Sequence, residues 1–95
     1  MALARVVTFE NVDGDRLAGM LDRMRESDGP PEEVPAKGLI VLHDGAAGKA
    51  VVLQFFDSEA DYAKGEAALS AMPADETPGT RTSVEKWDAP FSMFV

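Results

Sequence analysis

The 95-residue sequence contains no cysteine and only one histidine, one tryptophan and one tyrosine. Without cysteine the chain can form no disulfide, no thiolate nucleophile and no cysteine metal site. Basic residues are also few, nine Lys and Arg against 17 Asp and Glu, so the net charge is −8. Because an acidic surface repels polyanions, nucleic acids and anionic membrane surfaces are not expected as partners.

Long apolar runs are missing as well. No segment approaches the ~18 apolar residues that a membrane span needs, and the N-terminal residues do not resemble a cleavable leader. We therefore expect a cytoplasmic protein. The length predicts one domain, residues 1–95, with an estimated ~65% of the unfolded chain's surface buried, so a partner that covers more apolar surface would stabilise it.

Hydrophobic periodicity predicts six elements. They are a strand over 2–9, a helix from Asp13 to near Ser27, strands over 38–44 and 49–56, a helix after Ser58, and a strand over 80–87. Asp13 and Ser58 are expected N-caps. The second helix carries the stripe Tyr62, Gly65, Leu69 and Met72, in which a glycine favours close approach of the helix to the sheet. A short apolar tail follows Pro90: Phe91, Met93, Phe94 and Val95.

The hairpin GLIVLHDGAAGKAVVLQFF (38–56) lacks the alternation that gives a sheet one polar face. A turn at Gly45–Gly48 pairs Asp44 with Lys49 and His43 with Ala50. One face then holds only apolar residues: Ile40, Leu42, Val51, Leu53 and Phe55. The other holds Leu39, Val41, Val52 and Phe56 together with His43 and Gln54. We expect the wholly apolar face to lie beneath the helices, because unpaired polar groups are costly to bury.

The order β-α-β-β-α-β predicts a ferredoxin-like α+β fold, with a four-stranded antiparallel sheet and two helices on one face. The second face has no helix left to cover it. We therefore expect a homodimer in which two such faces pack together into an α+β barrel, and the apolar tail reaches the partner.

The chain resembles the dimeric α+β barrel superfamily, which includes the antibiotic biosynthesis monooxygenase-like and stress-responsive barrel proteins. The resemblance rests on the element order, on VVLQFFDSEADYAKGEAALSAMP (51–73) and on TSVEKWDA (82–89). It implies a homodimer that encloses a cavity, used in some members for small aromatic or polyketide substrates and in others for haem.

The resemblance also gives an expectation for catalysis. Catalytic members use a cavity asparagine, a tryptophan and often a helical histidine. The only asparagine here, Asn11, is predicted to lie in a turn, and neither predicted helix contains histidine, while Trp87 is a candidate counterpart of the family tryptophan. We therefore expect no haem or other cofactor.

Five residues are candidates for ligand binding: His43, Gln54, Phe56, Trp87 and Arg5. His43 and Gln54 are also the weak catalytic candidates, since a histidine can act as an acid or base and a buried amide needs partners. The alternatives are a structural histidine, an amide bonded across the dimer, and aromatic rings that only pack. Arg5 is expected either to pair with Glu85 or to bind a substrate carboxylate.

Asn11-x-Asp13-x-Asp15 begins like a calcium loop, but Arg16 stands where glycine is needed, so no metal site is predicted. Two functions remain open. The first is a non-enzymatic or accessory dimeric module with a cavity for a small apolar or aromatic ligand. The alternative is a cofactor-independent monooxygenase-like enzyme that acts on a small aromatic or polyketide substrate.

Overall fold

A computed structural model of the protein describes residues 2–27, 34–71, 77–91 and 93. Within these residues the chain forms four strands and two helices in the predicted order. They are β1 (Ala2–Glu10), α1 (Gly14–Glu26), β2 (Gly38–Asp44), β3 (Lys49–Phe56), α2 (Glu59–Ser70) and β4 (Thr80–Ala89). The strands form one antiparallel sheet in the order β2-β3-β1-β4. The predicted ferredoxin-like arrangement is therefore confirmed.

Both helices begin at the residues predicted to cap them. The side chain of Asp13 accepts hydrogen bonds from the backbone N–H groups of Asp15 and Arg16, at 2.9 and 3.3 Å. The Ser58 hydroxyl accepts one from the N–H of Asp61 at 3.1 Å. These bonds satisfy N–H groups that the first turn of a helix leaves without partners. Helix α1 ends at Glu26, with Ser27 as its C-cap, which agrees with the predicted end near Ser27.

The predicted hairpin register is confirmed. Residues 45–48 form the turn, and Gly48 adopts a φ of 64°, which glycine tolerates without strain. Asp44 lies opposite Lys49, and His43 lies opposite Ala50. Strand β4 is two residues longer than predicted, because Ala2 of β1 pairs with Ala89. Met72, Phe94 and Val95 lie outside the described residues.

The prediction of which sheet face lies beneath the helices is wrong. Phe56 is fully buried and packs in a core cluster with Leu3, Val34 and Tyr62, against which Ala68 and Leu69 of α2 also pack. Val52 forms a second cluster on the same face with Val7 and Phe9. The helices therefore cover the face that carries Val52, Gln54 and Phe56.

The wholly apolar face is consequently the one that no described helix covers. We call it the open face, and define it by Ile40, Leu42, Val51, Leu53 and Phe55 of the hairpin, with Val6 of β1 and Trp87 of β4. Leu42 and Trp87 are 53% and 55% exposed. The prediction failed because it treated polar groups under a helix as unpaired, whereas Gln54 and Arg5 pair with each other there.

Gly65 brings α2 close to the sheet, as predicted. A Cβ atom at this position would lie 2.5 Å from Cε1 and 2.8 Å from Cζ of Phe56, whose ring also meets Tyr62 edge-on at 5.4 Å between centroids. Because Phe56 is fully buried, its ring has little room to move aside. The glycine thus determines how closely α2 packs on β3.

We expect Gly65→Ala to lower the free energy of unfolding by about 1–2 kcal/mol, because overpacking against Phe56 outweighs the gain of up to ~1 kcal/mol in helix propensity. In a Phe56→Leu background the ring atoms are gone, and the same substitution should become neutral or stabilising. Urea unfolding of the four proteins in this cycle measures both values. Stabilisation by Gly65→Ala alone would contradict the close approach.

Candidate functional site

A crevice of about 90 Å³ lies between the helix-covered face and the two helices. Met20 and Met24 of α1 and Leu69 of α2 line one side, and Val7, Phe9 and Val52 of the sheet line the other. Thr77 and Pro78, which precede β4, lie along its edge. The lining is therefore mostly apolar, and methionine side chains on one side give it a wall that adapts to different shapes.

Arg5 is the most buried charged residue of the crevice, with a side chain only 3% exposed. Its Nε donates to Oε2 of Glu66 on α2, and its Nη1 donates to Oε1 of Gln54 at 3.4 Å. Arg5 lies directly opposite Gln54 in the β1–β3 register, which explains why the two side chains meet. Its Nη2 is buried and has no hydrogen-bond partner. We call Arg5, Gln54 and Glu66 the polar cluster.

Glu66 is held in its ionised form. Partial burial favours the neutral acid, but hydrogen bonds from Arg5 and from the Ser70 hydroxyl, the latter at 2.9 Å, outweigh this effect. The positive charges of Arg5 and Arg81 act in the same direction, so the pKa of Glu66 lies below its ordinary value of 4.5. The polar cluster therefore keeps a carboxylate beside a buried guanidinium across the neutral range.

This lowered pKa makes stability depend on pH in a defined direction. The folded-state pKa of Glu66 lies below its unfolded-state value, so ionised Glu66 stabilises the fold. This stabilisation is complete above about pH 4.5 and is lost as the pH falls through the folded-state pKa. We expect the free energy of unfolding to drop more steeply between about pH 5 and pH 3 in the wild type than in Glu66→Gln. Urea unfolding at several pH values measures both slopes. If the free energy of unfolding fell equally steeply with pH in both proteins, the lowered pKa of Glu66 would be contradicted.

The charged groups along the crevice are both cationic. Arg5 and Arg81 line it, and no acidic residue is among the described residues of its lining. Glu66 lies beside Arg5 and balances one of the two charges. The crevice therefore carries an excess positive charge within a protein whose net charge is −8.

The five predicted site residues do not form one site. Arg5 and Gln54 lie together in the crevice lining. Phe56 is on the same face but fully buried in the core. His43 is exposed near the tip of the hairpin and does not line the crevice, and Trp87 lies on the open face.

The predicted Arg5–Glu85 ion pair is wrong. Glu85 lies opposite Val6, so its side chain is on the face opposite Arg5. The partner of Arg5 is Glu66, which the sequence reasoning missed. A signal was present: Glu66 lies within the stripe that Tyr62, Gly65 and Leu69 form at helical spacing. Arg81 was also missed, and it reaches the level of Phe9 only through an irregularity in the register next to Thr8.

In the described part of the chain, neither helix has the length and apolar composition needed to cross a membrane. The described residues also contain no group of three or more His, Asp or Glu side chains placed to hold a metal ion.

Comparisons with known proteins identify the fold. No protein-family model and no curated protein matches the sequence. An antibiotic biosynthesis monooxygenase-like protein from Chloroflexus aurantiacus J-10-fl superposes with a TM-score of 0.63 at 10% identity, covering 99% of this chain and 98% of that one. Rv0793 from Mycobacterium tuberculosis gives 0.54 at 14% identity, covering 98% of each chain. A NIPSNAP-like domain protein from Burkholderia xenovorans gives 0.55 at 15% identity, covering 99% of this chain and 90% of that one. The chain thus has the same fold as these antibiotic biosynthesis monooxygenase-like and NIPSNAP-like proteins.

Proposed function

We propose that this protein is a small-molecule binding module that works as a homodimer. Its open face binds a second copy, and its helix-covered face holds a small, mostly apolar molecule in the crevice. The observation that carries the binding role is the crevice itself, which is apolar along both sides and has the polar cluster within it. Apolar walls with a few fixed polar groups are the usual composition of small-molecule sites.

The residues support binding better than catalysis. Within the crevice lining, the described side chains include two arginines, Gln54 and Thr77 but no histidine, acid or tyrosine that could act as a general base. His43, the only histidine of the sequence, is at the hairpin tip. Of the five candidate residues, we therefore assign ligand contact to Arg5 and Gln54 and packing to Phe56.

The open face supports the homodimer. Its strands present seven apolar side chains, and Leu42 and Trp87 are more than half exposed. Phe91 and Met93, which follow β4, are also exposed, at 79% and 71%. Exposed apolar side chains gathered on one face favour an interface, and the same face of two copies can pack together about a twofold axis, with Glu85 of β4 beside the apolar residues.

Ligand binding is tested with benzyl alcohol as an apolar probe. We expect saturable shifts of amide resonances at Met20, Val52 and Leu69 in ¹⁵N–¹H spectra. Met24→Trp should fill the crevice and weaken binding, whereas Met93→Trp, the same change at an exposed position outside the crevice, should leave it unchanged. Shifts that do not saturate, or equal effects of both substitutions, would contradict the proposal.

A cofactor-independent monooxygenase is the second candidate, favoured by the likeness in fold to the Chloroflexus protein. In this case Gln54 and Arg5 would orient an aromatic substrate. Anthrone serves as a trial substrate, since its conversion to anthraquinone consumes one O₂ and releases one water. Oxygen uptake above the rate in buffer, reduced by Met24→Trp, would favour this candidate, and uptake equal to buffer would oppose it.

A further inference from the structure

The Nη2 atom of Arg5 is the one buried side-chain nitrogen or oxygen in the described part of the chain that has no hydrogen-bond partner. The other donor atoms of this guanidinium are used, Nε by Glu66 and Nη1 by Gln54. Because buried polar groups are nearly always paired, an unpaired guanidinium nitrogen on a residue that lines the crevice indicates a missing acceptor.

The partners already present fix the orientation of this group. Glu66 on α2 and Gln54 on β3 hold Arg5 from two elements, so the guanidinium plane has little freedom to turn. The two N–H groups of Nη2 are therefore presented in a constant direction, and a bound acceptor does not need to order the side chain first.

The charge of the crevice favours a negatively charged hydrogen-bond acceptor over a neutral one. Arg5 and Arg81 contribute two positive charges, and Glu66 offsets one of them. Arg81 is exposed, so it can move toward an anion that enters the crevice. A negatively charged oxygen would be attracted by the remaining charge, and charge-assisted hydrogen bonds are stronger than neutral ones.

We propose that the ligand of the crevice is a small apolar carboxylate, whose carboxylate oxygen accepts a hydrogen bond from Nη2 of Arg5 and whose second oxygen pairs with Arg81. The apolar part of the ligand lies against Val52, Leu69 and the methionines of α1. This inference rests on the proposed binding function and specifies its ligand class. Because Nη2 is buried, side chains of the lining have to shift to admit the carboxylate, and the unbranched Met20 and Met24 are the most adaptable of them.

The test compares benzoate with benzyl alcohol and benzamide, which have the same ring and no charge. We expect benzoate to bind the wild-type protein about tenfold more tightly or better, the effect of one charge-assisted hydrogen bond. The Nε–H resonance of Arg5 should shift with benzoate and not with benzyl alcohol. Raising the salt concentration should reduce the preference, since Arg81 is exposed.

Substitutions distinguish the contributions of Arg5 and Arg81 to benzoate binding. Arg81→Gln should remove most of the salt dependence and weaken benzoate binding, whereas Arg25→Gln, an exposed arginine of α1 outside the crevice lining, should change neither. The double variant Arg5→Met/Glu66→Ala removes the buried charge pair together and leaves Arg81, so its preference for benzoate should fall to the weaker, salt-dependent part that Arg81 contributes.

The outcomes distinguish this inference from the proposed function. If benzoate binds no better than benzyl alcohol while both bind in the crevice, the carboxylate proposal is overturned and the binding function stands. A water molecule that satisfies Nη2 alone would give this result. If none of the three probes binds, the binding function itself fails. A preference for benzoate that is as large in Arg5→Met/Glu66→Ala as in the wild type would also overturn the inference.

Discussion

Substituting Glu66 by alanine is expected to lower the free energy of unfolding by about 3 kcal/mol, the lower end of the range for removing one partner of a buried ion pair. The guanidinium of Arg5, which is 3% exposed in the wild type, would lose the carboxylate that balances its charge. Arg5→Met should cost less, about 1–2 kcal/mol, because the Glu66 carboxylate left behind is 35% exposed and keeps its bond from Ser70. Urea unfolding at one fixed protein concentration measures both values.

Two further variants control this comparison. Asp22→Ala breaks the exposed Arg25–Asp22 pair on α1 and should cost at most about 1 kcal/mol, as exposed pairs do. Arg5→Met/Glu66→Ala removes both charges and should be more stable than Glu66→Ala alone. If Arg5→Met proves as costly as Glu66→Ala, or if Glu66→Ala matches Asp22→Ala, the polar cluster does not hold a buried charge as described.

Replacing Leu42 by glutamate is expected to dissociate the proposed homodimer. Each dimer would lose two leucines that are about half exposed in the single chain, each contributing about half of the 1.5–3 kcal/mol of full burial, so the dissociation constant should rise by about tenfold to two-hundredfold, and burying two carboxylates raises it further. The monomer should still fold, because Leu42 is 53% exposed in the single chain. Sedimentation equilibrium over a range of protein concentrations measures the change.

Leu39→Glu is the matched control. Leu39 lies on the same strand and is similarly exposed, at 45%, but its side chain is on the helix-covered face. It should leave the dimer intact. Dissociation by Leu39→Glu in place of Leu42→Glu would mean that the helix-covered face carries the interface, and a wild-type protein that is monomeric at micromolar concentration would remove the dimer from the proposal.

Local signals in the sequence were sufficient to predict the fold. Asp13 and Ser58 capped the helices where a short polar residue precedes an amphipathic stripe, and the Gly45–Gly48 turn set the hairpin register. Local signals could not predict which face of the sheet the helices cover. Both faces of the hairpin are largely apolar, and the choice depends on partners from β1 and α2 that are distant in sequence.

The candidate site could likewise be predicted only in part, because its residues meet through contacts between distant parts of the sequence. Arg5 and Gln54 were predicted as candidate ligand residues from their residue types, and the structure brings them together. Their grouping with Glu66 depends on a contact across 61 positions of sequence. His43 and Trp87 are candidates because of their chemically distinctive side chains. However, His43 lies near the hairpin tip, and the pleat of β4 places Trp87 on the open face.

The position of β1 in the middle of the sheet has a consequence for synthesis. Among the four described strands β1 precedes the others in the sequence, yet one of its edges pairs with β4, which follows them. Until residues 80–89 leave the ribosome, a nascent chain can pair β1 only with β3, and the second edge of β1 presents unpaired backbone groups. The growing chain therefore carries an apolar sheet with β1 as one of its edges, and this edge is covered only when β4 pairs with it.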